Sequence, residues 1–253
     1  MSKRGEQALR RLNADLERQV AEHRAQLERV NEELQTFGYA VSHDLRAPLR
    51  AINGFSDILM RDCAAQLDAE SRGYLERVHS AAERMERMIE ALRGLSRIAS
   101  TKIVREEVDL TALAHTTIAA LHRGEPGRAV EVRIADRLAG LGDQRLLRAM
   151  FEHLLGNAWK FTARQPQACI EVGATVVDGQ PAYFVRDNGA GFDIAYANNL
   201  FHPFRRLHTN EEFPGIGIGL AIAARIAHRH GGRIWAEAAV GQGATLFFTL
   251  PES

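Results

Sequence analysis

The first half of the chain follows a helical repeat of apolar residues. Residues 6–36 contain neither proline nor glycine, and their apolar positions alternate at spacings of three and four. This heptad pattern predicts a parallel coiled-coil dimer, with one four-residue stutter at Leu12, Leu16 and Val20 and a local weakening at His23. A single solvated helix is the alternative that the pattern leaves open.

The apolar stripe continues into the stretch YAVSHDLRAPLR, residues 39–50. His43 lies about 200° around the helical wheel from Val41, on the exposed side. Pro48 lacks an N–H group, so the carbonyl oxygen of Asp44 loses its helical partner and we expect a bend there. An exposed histidine near a kink is, by itself, most often an ordinary surface residue. One face of this helix holds Phe37, Val41, Leu45, Pro48, Ile52, Phe55 and Leu59.

A second helix is predicted at about residues 69–99. Because the connection near residues 62–68 is short, the two helices should pack as an antiparallel hairpin. A hairpin this narrow cannot bury its apolar stripe alone, so we expect two copies to form a four-helix bundle. The apolar face of the second helix holds Leu75, Val78, Ala82, Met85, Met88 or Ile89, Leu92 and Leu95.

The pattern changes after a predicted linker at residues 101–108. Helices and strands then mix without regular strand–helix–strand alternation, which favours an α+β sandwich with helices on one face of a single sheet. We expect helices at residues 109–121, 143–162 and 218–232, and strands at 130–135, 168–177, 181–189, 232–240 and 244–251. The predicted domains are a coiled-coil helix (1–36), the helical hairpin (37–100) and the α+β domain (109–253).

The amino-acid composition of the chain argues against several classes of function. The chain has 32 basic and 32 acidic residues, so its bulk charge does not indicate nucleic-acid binding. Cys63 and Cys169 match no metal-binding spacing, which favours a reducing compartment. No apolar run approaches the roughly 18 residues that cross a bilayer, and the polar N-terminus is unlike a signal peptide. We therefore expect a soluble, cytoplasmic protein that contacts no membrane.

Five segments of the C-terminal half concentrate polar groups and glycines. They are NAWKFT with Asn157 and Lys160, RDNGAGFD with Asp187, Gly189 and Gly191, FHPFRRLH with Arg205 and Arg206, GIGIGLA with Gly215, Gly217 and Gly219, and GQGATLFF with Thr245. Each alone can be a turn, a helix end or a solvated surface. The three glycines of GIGIGLA make a poor dinucleotide fingerprint, but glycines before a helix N-terminus suit a phosphate cradle.

Together and in this order, these segments resemble the N, G1, F, G2 and G3 boxes of the catalytic and ATP-binding domain of sensor histidine kinases. YAVSHDLRAPLR resembles the phosphoacceptor H box of the same family, in its phytochrome-like variant. The resemblance covers residues 37–251. It implies a GHKL or Bergerat-type α/β sandwich, ATP and Mg²⁺ as ligands, and autophosphorylation within a homodimer.

The resemblance also implies a role for each matching residue. His43 would accept the phosphoryl group and Asp44 would orient its ring as a base, while Arg206 would contact the terminal phosphate. Asn157 would ligate Mg²⁺, and Asp187 would accept the adenine amine. Lys160 would neutralise phosphate charge. The remaining nucleotide-binding residues would be Phe161, Gly189, Gly191, Phe204, Gly215, Gly217, Gly219 and Thr245, with a lid at about residues 192–214.

Two positions depart from the family pattern. Ala47 stands where many relatives carry Thr or Asn, a side chain that orients the water for dephosphorylating the partner, so we expect weak phosphatase activity. His153 stands where the N box usually begins with Asn. It either helps to hold the metal or is merely exposed, and we favour exposure. The expected partner is the receiver domain of a response regulator, and the resemblance also allows an upstream sensor domain.

Two other functional classes compete with a kinase. An ATP-driven conformational machine of the gyrase or MutL type shares the nucleotide fold, but such machines lack the exposed His-Asp-x-x-x-Pro hairpin of residues 43–48. A kinase-dead scaffold would only dimerise and bind partners. The presence of Asn157, Asp187 and the three glycines of GIGIGLA argues against the scaffold.

Overall fold

The computed structural model describes residues 18–20, 22, 26, 40, 44–63, 66–177, 179–209 and 212–250. Most of the predicted coiled coil, Leu12 and Leu16 of its stutter, and His43 lie outside these residues. The chain forms two compact units, Met1–Ser96 and Arg97–Ser253, whereas the sequence analysis placed the boundary at a linker of residues 101–108. Within the described ranges, no helix combines the length and the apolar character needed to cross a membrane.

The N-terminal unit contains a helical hairpin. Its helices are α1, over residues 44–62, and α2, Ala69–Ser100. The helices run antiparallel, because Arg46 near the start of α1 pairs with Glu90 at 3.5 Å, whereas Asp57 further along pairs with His79 at 2.9 Å. The carboxylate of Asp68 accepts a hydrogen bond from the backbone N–H of Ser71 at 2.7 Å and so caps the start of α2. The predicted hairpin is confirmed.

The two helices touch along a narrow inner edge. This edge buries Leu49 and Ser56 of α1 and Ala82 and Ile89 of α2. The predicted stripe of α1 lies outside this edge, and its phenylalanine, Phe55, is 68% exposed. A single hairpin therefore leaves its apolar stripe uncovered. The exposed apolar residues are Leu45, Ile52, Phe55, Ile58, Leu59, Val78 and Met85.

The C-terminal unit is an α/β sandwich, which confirms the predicted fold class. Its helices are α3 (Leu110–Gly124), α4 (Gln144–Phe161) and α5 (Gly219–Arg229), and a 3₁₀ helix spans Ile194–Asn199. Its strands are β1 (Glu106–Asp109), β2 (Val130–Ile134), β3 (Ala139–Gly142), β4 (Ala168–Val177), β5 (Gln180–Asp187), β6 (Ile234–Ala238) and β7 (Ala244–Phe248). The short strands β1 and β3 were not predicted, and β1 includes residues of the predicted linker.

The main sheet has the strand order β2-β4-β5-β7-β6, and β1 pairs with β3 in a separate two-stranded ribbon. Only β2 and β4 run parallel within the main sheet. Helix α4 packs its apolar face on this sheet, where Phe151 meets Phe248 edge-on at 6.0 Å between ring centroids. Burial of Leu147, Met150, Leu154 and Leu155 fixes the rotation of α4, so its remaining face is held in a defined direction.

The start of α4 is also held by polar contacts. Asp143 caps the helix, because its carboxylate accepts hydrogen bonds from the backbone N–H groups of Arg145 and Leu146. The backbone N–H of Asp143 in turn donates to Nε2 of His230 at 2.9 Å, and Nδ1 of this buried histidine contacts the carbonyl oxygen of Ile226 at 2.8 Å. Both ring nitrogens of His230 are therefore used, and burial lowers the pKa of this imidazole.

Candidate functional site

A cavity of about 250 Å³ lies beside the C-terminal half of α4, the end of β5 and the start of α5. It brings together most of the residues predicted for the site. Those lining it are Asn157, Lys160, Phe161, Asp187, Gly191, Arg206, Gly215, Gly217 and Gly219. Gly189, Phe204 and Thr245 are not among the lining residues, and Asp44 belongs to the other compact unit.

Asp187 places a buried carboxylate at the end of β5. Its Oδ1 accepts a hydrogen bond from the backbone N–H of Gly189 at 2.8 Å. Burial raises the pKa of Asp187 to about 6, although the backbone N–H groups of Gly189 and Ala244 act in the opposite direction. The carboxylate is thus mostly ionised at neutral pH but poorly solvated. A ligand that offers a neutral N–H donor would compensate for this lost solvation.

The turn after Asp187 requires glycine at two positions. A Cβ atom on Gly189 would lie 2.5 Å from the carbonyl oxygen of Phe161, and the backbone N–H of Ala190 donates to that same oxygen at 3.2 Å. Gly191 has a φ of 59°, and a Cβ atom there would overlap the carbonyl oxygen of Ala239. Gly189 therefore packs the turn against the end of α4, while Gly191 forms part of the cavity wall.

Three cationic side chains line the cavity, those of Lys160, Arg205 and Arg206. Nζ of Lys160 lies 4.3 Å from the ring centroid of Phe161, and burial together with the nearby Arg206 lowers the pKa of this ammonium group. The guanidinium of Arg206 donates to the carbonyl oxygens of Thr209 at 2.9 Å and Phe213 at 2.6 Å, so it also organises the loop that carries it. Two partly desolvated cations in one cavity favour an anionic ligand.

The glycine-rich segment before α5 adds backbone donors to this cationic wall. Gly215 and Gly217 have φ values of 151° and 74°, which glycine adopts without strain. The residue that precedes α5, Ile218, gives the helix no side-chain cap. The backbone N–H groups of the first turn of α5 are therefore not used by a capping side chain, and such N–H groups bind phosphate oxygens well.

An aromatic cluster joins the loop of residues 192–214 to the rest of the cavity wall. Nε2 of His208 contacts the carbonyl oxygen of Gly191 at 2.9 Å. The His208 ring packs between Phe161 and Phe213, with centroid distances of 5.3 Å and 5.2 Å. The sequence analysis assigned no site role to His208 or to Phe213. Neither residue belongs to a spacing that would have revealed this contact.

His153 lies in the cavity wall, contrary to the expectation of simple exposure. It precedes Asn157 by one helical turn of α4, and both side chains line the cavity. Nδ1 of His153 would lie 3.2 Å from a Cβ atom built on Gly219, so the ring rests against the first residue of α5. Burial lowers the pKa of His153, which keeps the imidazole neutral. The spacing of four residues between His153 and Asn157 could have predicted that both side chains lie on the same face of α4.

Two predicted site residues point away from the cavity. Phe204 is 40% exposed and adopts a φ of 63°, and its backbone N–H donates to the carbonyl oxygen of Gly217 at 2.8 Å. Thr245 lies on the opposite face of the sheet, where its Oγ1 accepts a hydrogen bond from Nε of Arg186 at 3.2 Å. Because side chains alternate along a strand, Ala244 lines the cavity instead of Thr245.

The residues of the cavity could hold Mg²⁺ only if a phosphorylated ligand supplied further oxygen ligands. Across the described part of the chain, no group of three or more His, Cys, Asp or Glu side chains could hold a metal ion. Asn157 offers one amide oxygen at the cavity wall. Mg²⁺ commonly takes one or two protein ligands and completes its shell with phosphate and water oxygens. This cavity is consistent with that arrangement.

Two protein-family models match the chain. The His Kinase A (phospho-acceptor) domain matches residues 33–101, and the histidine kinase-, DNA gyrase B- and HSP90-like ATPase domain matches residues 142–253. The chain belongs to the histidine kinase family. The predicted family and its two domain types are confirmed, and the cavity lies in the part of the chain that matches the ATPase model.

Individual relatives agree with this histidine kinase assignment. Cyanobacterial phytochrome B of Nostoc sp. is 34% identical over 239 residues, which cover 92% of this chain and 31% of the relative. The methanogenesis regulatory histidine kinase FilI of Methanothrix harundinacea is 33% identical over 245 residues, which cover 95% of this chain and 27% of the relative. This chain therefore spans about a third or less of the length of these relatives.

One solved structure supports the fold of this chain. Full-length ShkA in complex with AMPPNP matches with a TM-score of 0.59 and 24% sequence identity. The match covers 84% of this chain and 45% of ShkA. The arrangement of helices and strands is therefore one already seen in ShkA.

Proposed function

We propose that this chain is an ATP-dependent protein-histidine kinase that phosphorylates its own His43. The observation that carries the proposal is the composition of the cavity beside α4, β5 and α5. Asp187 would accept the adenine amine, and the backbone N–H groups of the glycine-rich segment and α5 would bind the phosphates. Lys160 and Arg206 would neutralise the phosphate charge. The cavity thus offers an acceptor for the adenine amine, and donors and positive charge for the phosphates.

The reaction would transfer the γ-phosphoryl group of ATP to an imidazole nitrogen of His43. The bond between the γ-phosphorus and the bridging oxygen of ADP breaks, and a phosphorus–nitrogen bond forms. Asp44, the next residue, would hydrogen-bond the other ring nitrogen and so orient the ring as a base. Asn157 would hold Mg²⁺, whose charge would neutralise the phosphate oxygens. Catalysis would come mainly from alignment and charge neutralisation.

The exposed apolar stripe of the hairpin supports a homodimer. Burying one large apolar side chain stabilises an interface by roughly 1.5 to 3 kcal/mol, and several such side chains lie on this stripe. Two hairpins would then form a four-helix bundle that covers the stripe of each chain. The phosphorus–nitrogen bond of phosphohistidine is labile, which suits onward transfer to an aspartate of a response-regulator receiver domain.

The test is incubation of the chain with γ-labelled ATP and Mg²⁺. We expect phosphate on the protein that is labile in acid and stable in alkali, and we expect none on His43→Gln. ADP affinity should be the same in both proteins, because the residues proposed to bind the nucleotide all belong to the C-terminal unit. Phosphate that persists in His43→Gln would overturn the assignment of His43. ATP hydrolysis without protein phosphate would instead support a conformational ATPase, and nucleotide binding alone would support a scaffold.

A further inference from the structure

Helix α4 presents two potential metal ligands to the same cavity. His153 and Asn157 are four residues apart, and both line the cavity wall. Side chains four residues apart on one helix lie on one face and can bind the same ion, as the two histidines of an H-E-x-x-H helix do. The buried residues Leu154, Leu155 and Ala158 fix the rotation of this helix. Helix α4 therefore cannot rotate about its axis, and both polar side chains stay on the side that faces the cavity.

The ring of His153 lies at the end of the cavity where phosphates would bind. Its Nδ1, Cγ and Cβ atoms lie within 3.6 Å of the position that a Cβ atom of Gly219 would occupy. Gly219 is the first residue of α5, directly after the glycine-rich segment. A larger residue at this position would crowd the imidazole. The imidazole and the Asn157 amide thus flank the place where a cation bound to phosphate would sit.

We propose that His153 and Asn157 together ligate the divalent cation of the nucleotide, and that the imidazole makes this site prefer a first-row transition-metal ion to Mg²⁺. The proposal rests on the proposed function, because the cation would arrive with the nucleotide. Mg²⁺ is a hard cation that takes oxygen ligands and dehydrates reluctantly. Imidazole is a better ligand for transition-metal ions, so exchanging an oxygen ligand for nitrogen changes which ion binds best.

Manganese is the probe, because Mn²⁺ is paramagnetic and senses directly bound nitrogen. The full chain is loaded with Mn²⁺ and ADP, and pulsed electron paramagnetic resonance records the coupling to ¹⁴N. We expect the coupling of one imidazole nitrogen in the wild-type protein and none in His153→Asn. The matched control is His115→Asn, which replaces an exposed imidazole on α3, outside the cavity wall, and should leave the coupling in place.

Calorimetry of ADP binding at saturating Mn²⁺ or Mg²⁺ gives a second readout. The ratio of the Kd with Mg²⁺ to the Kd with Mn²⁺ should fall about tenfold in His153→Asn, as expected when one metal ligand is exchanged. The proposal would be overturned if Mn²⁺ and ADP were bound but no nitrogen coupling appeared. It would also be overturned if His153→Asn changed the Kd equally with both metals, because His153 would then contact a phosphate. Failure of ADP to bind the wild-type protein with either metal would instead overturn the proposed function.

Discussion

The guanidinium of Arg229, in the last turn of α5, donates a hydrogen bond to the backbone carbonyl oxygen of Thr101 at 2.6 Å. It also donates to the carbonyl oxygen of Ile98, in the last turn of α2. A cation at the C-terminal end of a helix satisfies free carbonyl groups and interacts favourably with the helix dipole. The segment that follows α2 is therefore fastened to the same compact unit that holds the cavity.

Replacing this guanidinium should loosen the segment without affecting nucleotide affinity. Arg229→Met removes two charged hydrogen bonds, and we expect a loss of about 1 to 3 kcal/mol in the free energy of unfolding of the C-terminal unit. Hydrogen exchange should become faster at residues 98–105, while the Kd for ADP stays unchanged. Arg225→Met, one turn earlier in α5 and exposed, is the control. Equal exchange rates in the two variants would contradict this role of Arg229.

Asp187→Asn should stabilise the fold and weaken adenine binding. The pKa of Asp187 is raised to about 6 from 3.8, so protonation stabilises the folded state below pH 3.8, and this contribution is lost as the pH rises through 6. The ionised carboxylate therefore costs up to about 3 kcal/mol at pH 7. Urea unfolding at pH 7 should show Asp187→Asn to be the more stable protein, and the difference should shrink towards pH 4. Equal stability of the two proteins at pH 7 would refute the raised pKa.

The same titration should appear in nucleotide affinity. Protonation of Asp187 would remove the negative acceptor that we propose for the adenine amine, so the Kd for ADP should rise about tenfold per pH unit below pH 6. Calorimetry between pH 5 and pH 8 measures this dependence. Asp187→Asn is the control, and its Kd should be nearly constant over the acidic range. An acid-dependent loss of affinity in that variant would assign the titration to another group.

Ala47 should limit phosphatase activity towards the response regulator. Its methyl group can neither donate nor accept a hydrogen bond and cannot orient an attacking water. We expect the wild-type protein not to accelerate phosphate loss from the phosphorylated regulator when ATP and ADP are absent. Ala47→Thr should gain this activity without loss of stability, because Ala47 is exposed on α1. Rapid dephosphorylation by the wild-type protein would contradict the prediction.

Phe55→Glu should separate the proposed dimer but keep the hairpin. The phenylalanine is 68% exposed and contributes little to the single chain, whereas a charge within a buried interface carries a large desolvation cost. Sedimentation should show a monomer with unchanged helical content. Ser80→Glu, an exposed position on α2 outside the apolar stripe, is the control and should remain a dimer. If Phe55→Glu sedimented as a dimer, the stripe would not be the interface.

Sequence periodicity predicted the long elements of this chain because their apolar faces are buried over many residues. It missed β1 and β3, which have four residues each and pair only with one another. Motif order located Asn157, Lys160 and Asp187, whereas Thr245 was assigned to the cavity in place of its neighbour Ala244. Side chains alternate between the two faces of a sheet, and the residues of a turn do not reveal which face the first residue of the next strand occupies. That first residue decides which side chains of the strand face a ligand. The contact between His208 and Gly191 likewise depends on the tertiary path of the loop.

The backbone of Phe204 has a consequence for how the loop of residues 192–214 moves. A non-glycine residue with positive φ carries a conformational cost of about 1 to 3 kcal/mol, which surrounding contacts must outweigh. Here one such contact is the hydrogen bond from Phe204 to Gly217. When that bond breaks, the residue can return to an ordinary conformation and the cost is recovered. Opening of this loop would recover the conformational cost at Phe204. The free-energy barrier to opening, and so to release of a bound nucleotide, would be lower by part of that amount.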